Sequence, residues 1–135
     1  MINEHAAAVL ALLDADNGPP PLVWFDGAVP QGITPPYVVA YFADGDLRTS
    51  TPLSGESKRF MMRIYLHCVG GNQAASRVVA DRGRTALLDV VPVVAGRTCF
   101  PIRREDGQPP DRDEAIGGLI LSKVDVYRLE SIPAS

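Results

Sequence analysis

The sequence predicts an α+β domain: a mixed, mainly antiparallel sheet of about four to five strands with two helices packed on one face. Two segments, near the N-terminus and after residue 72, place apolar residues at helical spacing. Four or five other runs are continuously apolar or alternate with period two, bounded by Gly, Pro, Asn and Asp. The chain has 135 residues, so residues 1–135 read as one domain that can bury roughly two thirds of the surface its unfolded form exposes.

Each element has a local cause. In the first helix, Asn3 suits the N-cap, and Ala6, Val9, Leu10 and Leu13 fall at i, i+3, i+4 and i+7. "DNGPPP" ends it, because glycine suits the C-terminal cap and proline cannot continue a helix. Residues 22–25, "LVWF", form a short strand, and "DGAVPQGITPP" is a turn-rich loop. Residues 37–42, "YVVAYF", are apolar on both faces, which suits a central strand. The polar stretch "ADGDLRTSTPLSGESKR" is too long for a tight hairpin and is either an extended arm or a mobile loop.

The clearest strand follows. Phe60, Met62, Ile64, Leu66 and Cys68 share one face, and Met61, Arg63, Tyr65, His67 and Val69 share the other. Gly70-Gly71 then turn the chain by supplying φ > 0, and Asn72 caps a helix running to about Asp89. Its inward stripe is Ala75, Val78, Val79, Ala86, Leu87 and Val90, with Gly83 allowing close approach to the sheet and an Arg77–Asp81 pair outside. Pro92 ends that element. "GRTCFPIRRE" is a fourth strand whose Pro101 marks an edge or a bulge, "DGQPPDRDEAIGG" is a polar loop, and "LILSKVDVYRLESI" is the closing strand.

Two helices leave one sheet face uncovered. The expected core face carries Phe60, Met62, Ile64, Leu66, Ile120, Val124 and Val126, and the helices lie on it. The other carries Arg63, Tyr65 and His67 with Lys123, Asp125 and Tyr127. That mixture suits either a wet surface or a protein interface.

The totals exclude several classes. A net charge of -3 and a pI near 5.3 argue against a surface dedicated to nucleic-acid phosphates. Two cysteines, Cys68 and Cys99, make no disulfide framework, so both thiols are expected free in a reducing cytoplasm. The N-terminal apolar stretch is too short for a membrane span and lacks a basic leader.

Motif tests also come back empty. Gly70-Gly71 lacks the third glycine of a dinucleotide fingerprint, and no P-loop occurs. His67 and Cys68 are strand neighbours pointing to opposite faces, so they cannot share a metal ion. "DADNG" opens like a calcium loop, but Phe25 stands where the bidentate acid belongs. Ser50, Ser54 and Ser57 lie in a polar loop without a nearby histidine. The expectation is a non-enzyme with no cofactor and no metal.

With these segments in view, the chain resembles the tail terminator (tail completion) proteins of long-tailed bacteriophages. The resemblance rests on "AAAVLALLDA", "PPYVVAYF", the Leu/Ser/Gly-rich loop, "RFMMRIYLHCVGGNQAASRVVADRGRTALLD", "VAGRTCFPIRRE" and "GGLILSKVDVYRLE". It implies a structural protein of the virion's tail or neck, made in the host cytoplasm. Such proteins form a ring, typically a hexamer, that caps the finished tail tube, stops its polymerisation and presents a surface for head joining. The implied partners are further copies of the chain, the tail tube protein and a head–tail connector protein, with no specific nucleic acid and no membrane. Arg63, Tyr65 and His67 are the candidate ring or tube contacts, with Arg48, Lys58 and Arg59 reaching across from the loop. Three alternatives stand beside it: a head–tail connector (neck) protein, a small anion- or nucleotide-binding module at Gly70-Gly71, and a minor enzyme using Asp111, Asp113 and Glu114.

Overall fold

The computed structural model describes residues 2–15, 22–28, 32–33, 36–44, 59–107, 111–113 and 120–134. The elements are α1 (Ile2–Asp14), β1 (Val23–Asp26), β2 (Tyr37–Asp44), β3 (Phe60–Gly70), α2 (Gln73–Leu87), β4 (Arg97–Cys99), β5 (Arg103–Gly107), β6 (Asp111–Asp113) and β7 (Ile120–Pro133). One sheet takes the order β1-β2-β3-β7-β4, with β5 and β6 also pairing β7. Among the described residues only the β1–β2 pairing is parallel; the others are antiparallel. The expected α+β class and mixed, mainly antiparallel sheet are therefore observed.

The fourth strand expected from sequence is divided in two. Cys99 pairs with Ser131 and Arg103 with Arg128, a register that slips by one residue across the stretch containing Pro101. Proline has no N–H to give the ladder, so the strand breaks there. The stretch read as a polar loop contains the short strand β6, because Asp111–Asp113 finds partners along Ile120–Ser122. The 43–59 arm falls mostly on residues 45–58, outside the described residues.

The core forms where α1 and α2 cover one sheet face. Val9 and Leu13 of α1, Val79 and Leu87 of α2, and Val38, Met62, Ile64, Leu66, Tyr127 and Leu129 of the sheet are its centre. The inward stripe of α2 is rotated from the expected one. Ser76, Val79, Ala80, Gly83 and Leu87 are buried, whereas Val78 is 53% exposed. Small residues bring this helix close: a Cβ on Gly83 would sit 3.0 Å from Leu66 Cδ1. Arg77 reaches back to Gln73 Oε1 at 3.4 Å and does not pair with Asp81. The helix stops at Leu87, two residues early, as Asp89 turns into the left-handed region at φ 63°.

The closing strand presents the opposite face from the one its hydropathy suggests. Ile64 is opposite Tyr127, Met62 opposite Leu129 and Leu66 opposite Asp125, so Lys123, Asp125 and Tyr127 lie on the helix-covered side. Val124 and Val126 lie opposite His67 and Tyr65 on the other side. With a side-chain period of two, a register set by pairing decides the face of every residue at once. Burying Tyr127 and Leu129 brings Asp125 to 1% exposure. Its Oδ1 accepts from Lys123 Nζ at 2.8 Å and from Arg104 Nη2 at 3.0 Å, which keeps the carboxylate paired.

The N-terminal helix begins at Ile2, so Asn3 is inside it and not its cap. His5 is fully buried and 2.7 Å from Ser131 Oγ. Arg97 donates its Nε to the same oxygen at 3.1 Å and an Nη2 hydrogen to Ser131 O at 3.0 Å. These bonds tie the first helix to the last strand.

Candidate functional site

The sheet face opposite the helices brings together three of the six candidate contact residues. Arg63, Tyr65 and His67 follow one another on β3 at period two, and pairing adds Tyr41 opposite Tyr65, Val39 opposite His67, and Val126, Val124 and Arg128 opposite Tyr65, His67 and Arg63. This face is drier than a solvated sheet surface. Tyr37, Val39 and Val69 are buried and form a small second cluster with Phe25 against it. The Tyr37 and Phe25 rings meet edge-on at 6.0 Å. His67 stacks edge-on with Tyr41 at 4.9 Å between ring centroids. Its partial burial among these groups holds its pKa below the ordinary histidine value, so the neutral ring is the form this face favours.

Charge is confined to the other end. Arg63 Nε donates to Glu105 Oε2 at 2.9 Å, and Arg128 Nη1 lies 3.6 Å from Glu105 Oε1. A register shift between Arg104 and Asp106 leaves Glu105 as the extra residue of a bulge, which aims its carboxylate at both guanidinium groups. Arg63 is therefore half of a local network rather than a cation held ready for a partner. Arg59, just before β3, is 3.5 Å from Glu130 and lies over the Phe100 ring at 5.2 Å. Arg48 and Lys58 are outside the described residues.

Sequence reading missed Tyr41, Val124, Val126, Glu105 and Arg128 as members of this face. The first shares the parity of Tyr37 and Val39 in "YVVAYF" and was recoverable; the others depended on the β7 register and the β5 bulge.

The glycine corner has a different role from either one expected. Neither Gly70 nor Gly71 has a positive φ; Gly27, Gly32 and Gly96 do. A Cβ on Gly70 would lie 2.5 Å from Ser76 N and 2.8 Å from the Ala75 carbonyl carbon. Gly70 is thus the point where β3 and the first turn of α2 touch. The Asn72 cap is as expected, its Oδ1 accepting from Ala75 N at 2.8 Å, which occupies a donor that a bound anion would need. Cys68 is fully buried, and burial, reinforced by the nearby Asp125 carboxylate, pushes its thiol up to about 12. Among the described residues no group of three or more His, Cys, Asp or Glu could hold a metal ion. Among them, too, no helix is long and apolar enough to cross a membrane.

No protein-family model matches the sequence, and no curated protein matches it. Solved structures do match. A chain from the virion of a native gene transfer agent particle superposes with a TM-score of 0.68 at 18% identity, covering 93% of this chain and 92% of that one. What the two share is the fold. A second solved chain superposes with a TM-score of 0.61 at 15% identity, covering 98% of this chain and 96% of the other. Both matches span nearly the full length of each chain, so the fold is shared over the whole arrangement of helices and sheet and not over one part of it.

Proposed function

We propose that this chain is a structural, non-enzymatic subunit of a phage-type virion: a tail terminator that forms a ring on the finished tail tube. The ring stops tube growth and offers its outer surface to the head–tail connector. The observation that carries the reading is the near full-length fold likeness to a chain of the gene transfer agent virion. The sequence segments that resemble tail terminators supply the finer assignment. The half-dry face around Tyr41, Tyr65 and His67 supports it, because aromatic side chains beside apolar ones are what protein interfaces use at their centres. The ring is a hexamer in this reading, and its partners are its own copies, the tail tube protein and the connector.

The test is to polymerise tail tube protein with and without this chain and image the products by electron microscopy. Tubes of arrested length with a ring at one end are expected, and Tyr65→Ala should weaken capping without unfolding the protein. A chain that binds no tube end and leaves tube length unchanged overturns the assignment. Binding to the connector alone would make it a neck protein instead.

A further inference from the structure

Tyr127 of β7 is fully buried, and among the described residues nothing bonds its hydroxyl. A buried O–H without a partner is rare in folded proteins, because it forfeits the bond that water would give it. The groups around it are charged. Asp125, two residues earlier on the same face, holds Lys123 Nζ at 2.8 Å and Arg104 Nη2 at 3.0 Å on one oxygen, Oδ1. The second helix adds a third cation. Gly83 rests against Leu66, and Leu66 is opposite Asp125 in the β3–β7 ladder, so the next residue, Arg84, comes to the place where α2 passes over β7. Arg84 is exposed and makes no ion pair among the described residues; Asp81, one turn back, is not bonded to it. Burial pushes the Tyr127 hydroxyl's pKa up, Asp125 and Cys68 add to the rise, and Arg104 and Arg84 oppose it. Both guanidinium groups therefore lie within electrostatic range of that oxygen.

We propose that Arg84, Arg104 and Lys123, with the Tyr127 hydroxyl at the floor, form a binding site for a phosphate dianion. Three cations surround one carboxylate, leaving an excess of positive charge on a chain whose net charge is -3. A phosphate group carries about -1.5 to -2 charges at neutral pH and matches that excess; a carboxylate or a phosphodiester brings about half as much. Arginine forks bond phosphate oxygens in pairs, and lysine adds a point charge. Arginine has five N–H donors, so Arg104 can hold Asp125 and an anion together. Asp125 only accepts, so it positions the two cations without touching the anion. The Tyr127 hydroxyl donates to a phosphate oxygen and gains the acceptor that the chain does not give it. Exposure sets the direction of entry. The side chains of Asp125, Lys123 and Arg104 are 2%, 18% and 30% exposed, and Arg84 is exposed. The ligand enters from the Arg84–Arg104 side, and these long side chains shift to admit it. The site is on the helix-covered side of the sheet, away from Tyr65 and His67, and does not depend on the ring reading.

The experiment titrates the full chain, in phosphate-free buffer at neutral pH, with inorganic phosphate, adenosine monophosphate or acetate at matched ionic strength. Calorimetry gives Kd and thermal melts give the Tm shift. Phosphate should raise Tm saturably, as a ligand of the folded state does, and acetate should not. Arg84→Gln and Tyr127→Phe should each weaken the phosphate Kd by about tenfold and melt like wild type, or higher, without phosphate. Arg77→Gln, whose arginine is bonded to Gln73 two turns away, should bind as wild type does. Equal Kd values for phosphate and adenosine monophosphate support free phosphate as the ligand, and tighter binding of the nucleotide supports a phosphomonoester. No saturable shift, an equal shift with acetate, or binding undiminished in both variants overturns the proposal.

Discussion

Replacing Gly70 by alanine tests the contact that joins the clearest strand to the clearest helix. The added Cβ would lie 2.5 Å from Ser76 N, 2.8 Å from the Ala75 carbonyl carbon and 2.9 Å from Ala75 Cβ. Two of these three are backbone atoms of the first turn of α2, so no rotamer change relieves the clash. The helix must move off β3, and the move loosens Ser76, Val79 and Gly83 together, because one rigid element carries all three. Overpacking of this kind costs about 1–3 kcal/mol. The stiffer unfolded chain returns about 0.4–1 kcal/mol, since the φ of Gly70 is not positive. The net loss is about 1–2 kcal/mol, or roughly 3–8 °C in Tm for a domain of this size. Gly71→Ala is the control, with nothing within 4 Å of its Cβ and no positive φ; it should be neutral or slightly stabilising. Urea and thermal melts followed by circular dichroism read both variants. Equal melts for the two would refute the close-approach argument, and a large loss at Gly71 alone would restore the view that the corner needs glycine's conformational freedom.

Four further outcomes follow from the same geometry. Tyr127 is fully buried with no hydrogen-bond partner for its hydroxyl, so Tyr127→Phe should be neutral or stabilising by up to about 1–2 kcal/mol in urea melts; a clear loss would reveal a partner. Asp125→Ala should cost about 3–5 kcal/mol by leaving Lys123 partly buried without its carboxylate, and a loss below about 1 kcal/mol would mean that water replaces the pair. Cys68, with its thiol raised to about 12, should resist alkylation at pH 8 until the protein unfolds; fast labelling of the folded chain would contradict its burial. His67 has a folded pKa below its unfolded one, so the unfolded chain takes up the proton first as pH falls. Its contribution is full above about pH 6.5 and is lost below that, and His67→Gln should flatten this part of the stability–pH curve relative to wild type.

Much of the fold was legible locally. The alternation in "FMMRIYLHCV" marks β3 and both its faces, because a strand's side chains reverse at every residue whatever their partners. The Asn72 cap was legible because a short acceptor just before a helical run satisfies first-turn donors within the same segment. Of the candidate face, Arg63, Tyr65 and His67 were placed correctly together, since they belong to one strand.

The remaining features belong to contacts between distant segments. "LSKVDVYRL" offers Val124 and Val126 on one parity and Tyr127 and Leu129 on the other, and hydropathy favours the first. Pairing with β3 chose the second, and Lys123 and Arg104 made the buried Asp125 tolerable. Likewise the α2 stripe rotated toward Ser76 and Gly83 because closeness to β3 mattered more than the apolarity of Val78. His5 found Ser131 at a separation of 126 residues, which no local pattern encodes. The sequence by itself determined where strands and helices form and which residues alternate, because those preferences act within a few bonds. Only the tertiary structure decided which parity faces the helices and which glycine must be glycine, because register and close approach are set by the partner strand and helix, not by the segment itself.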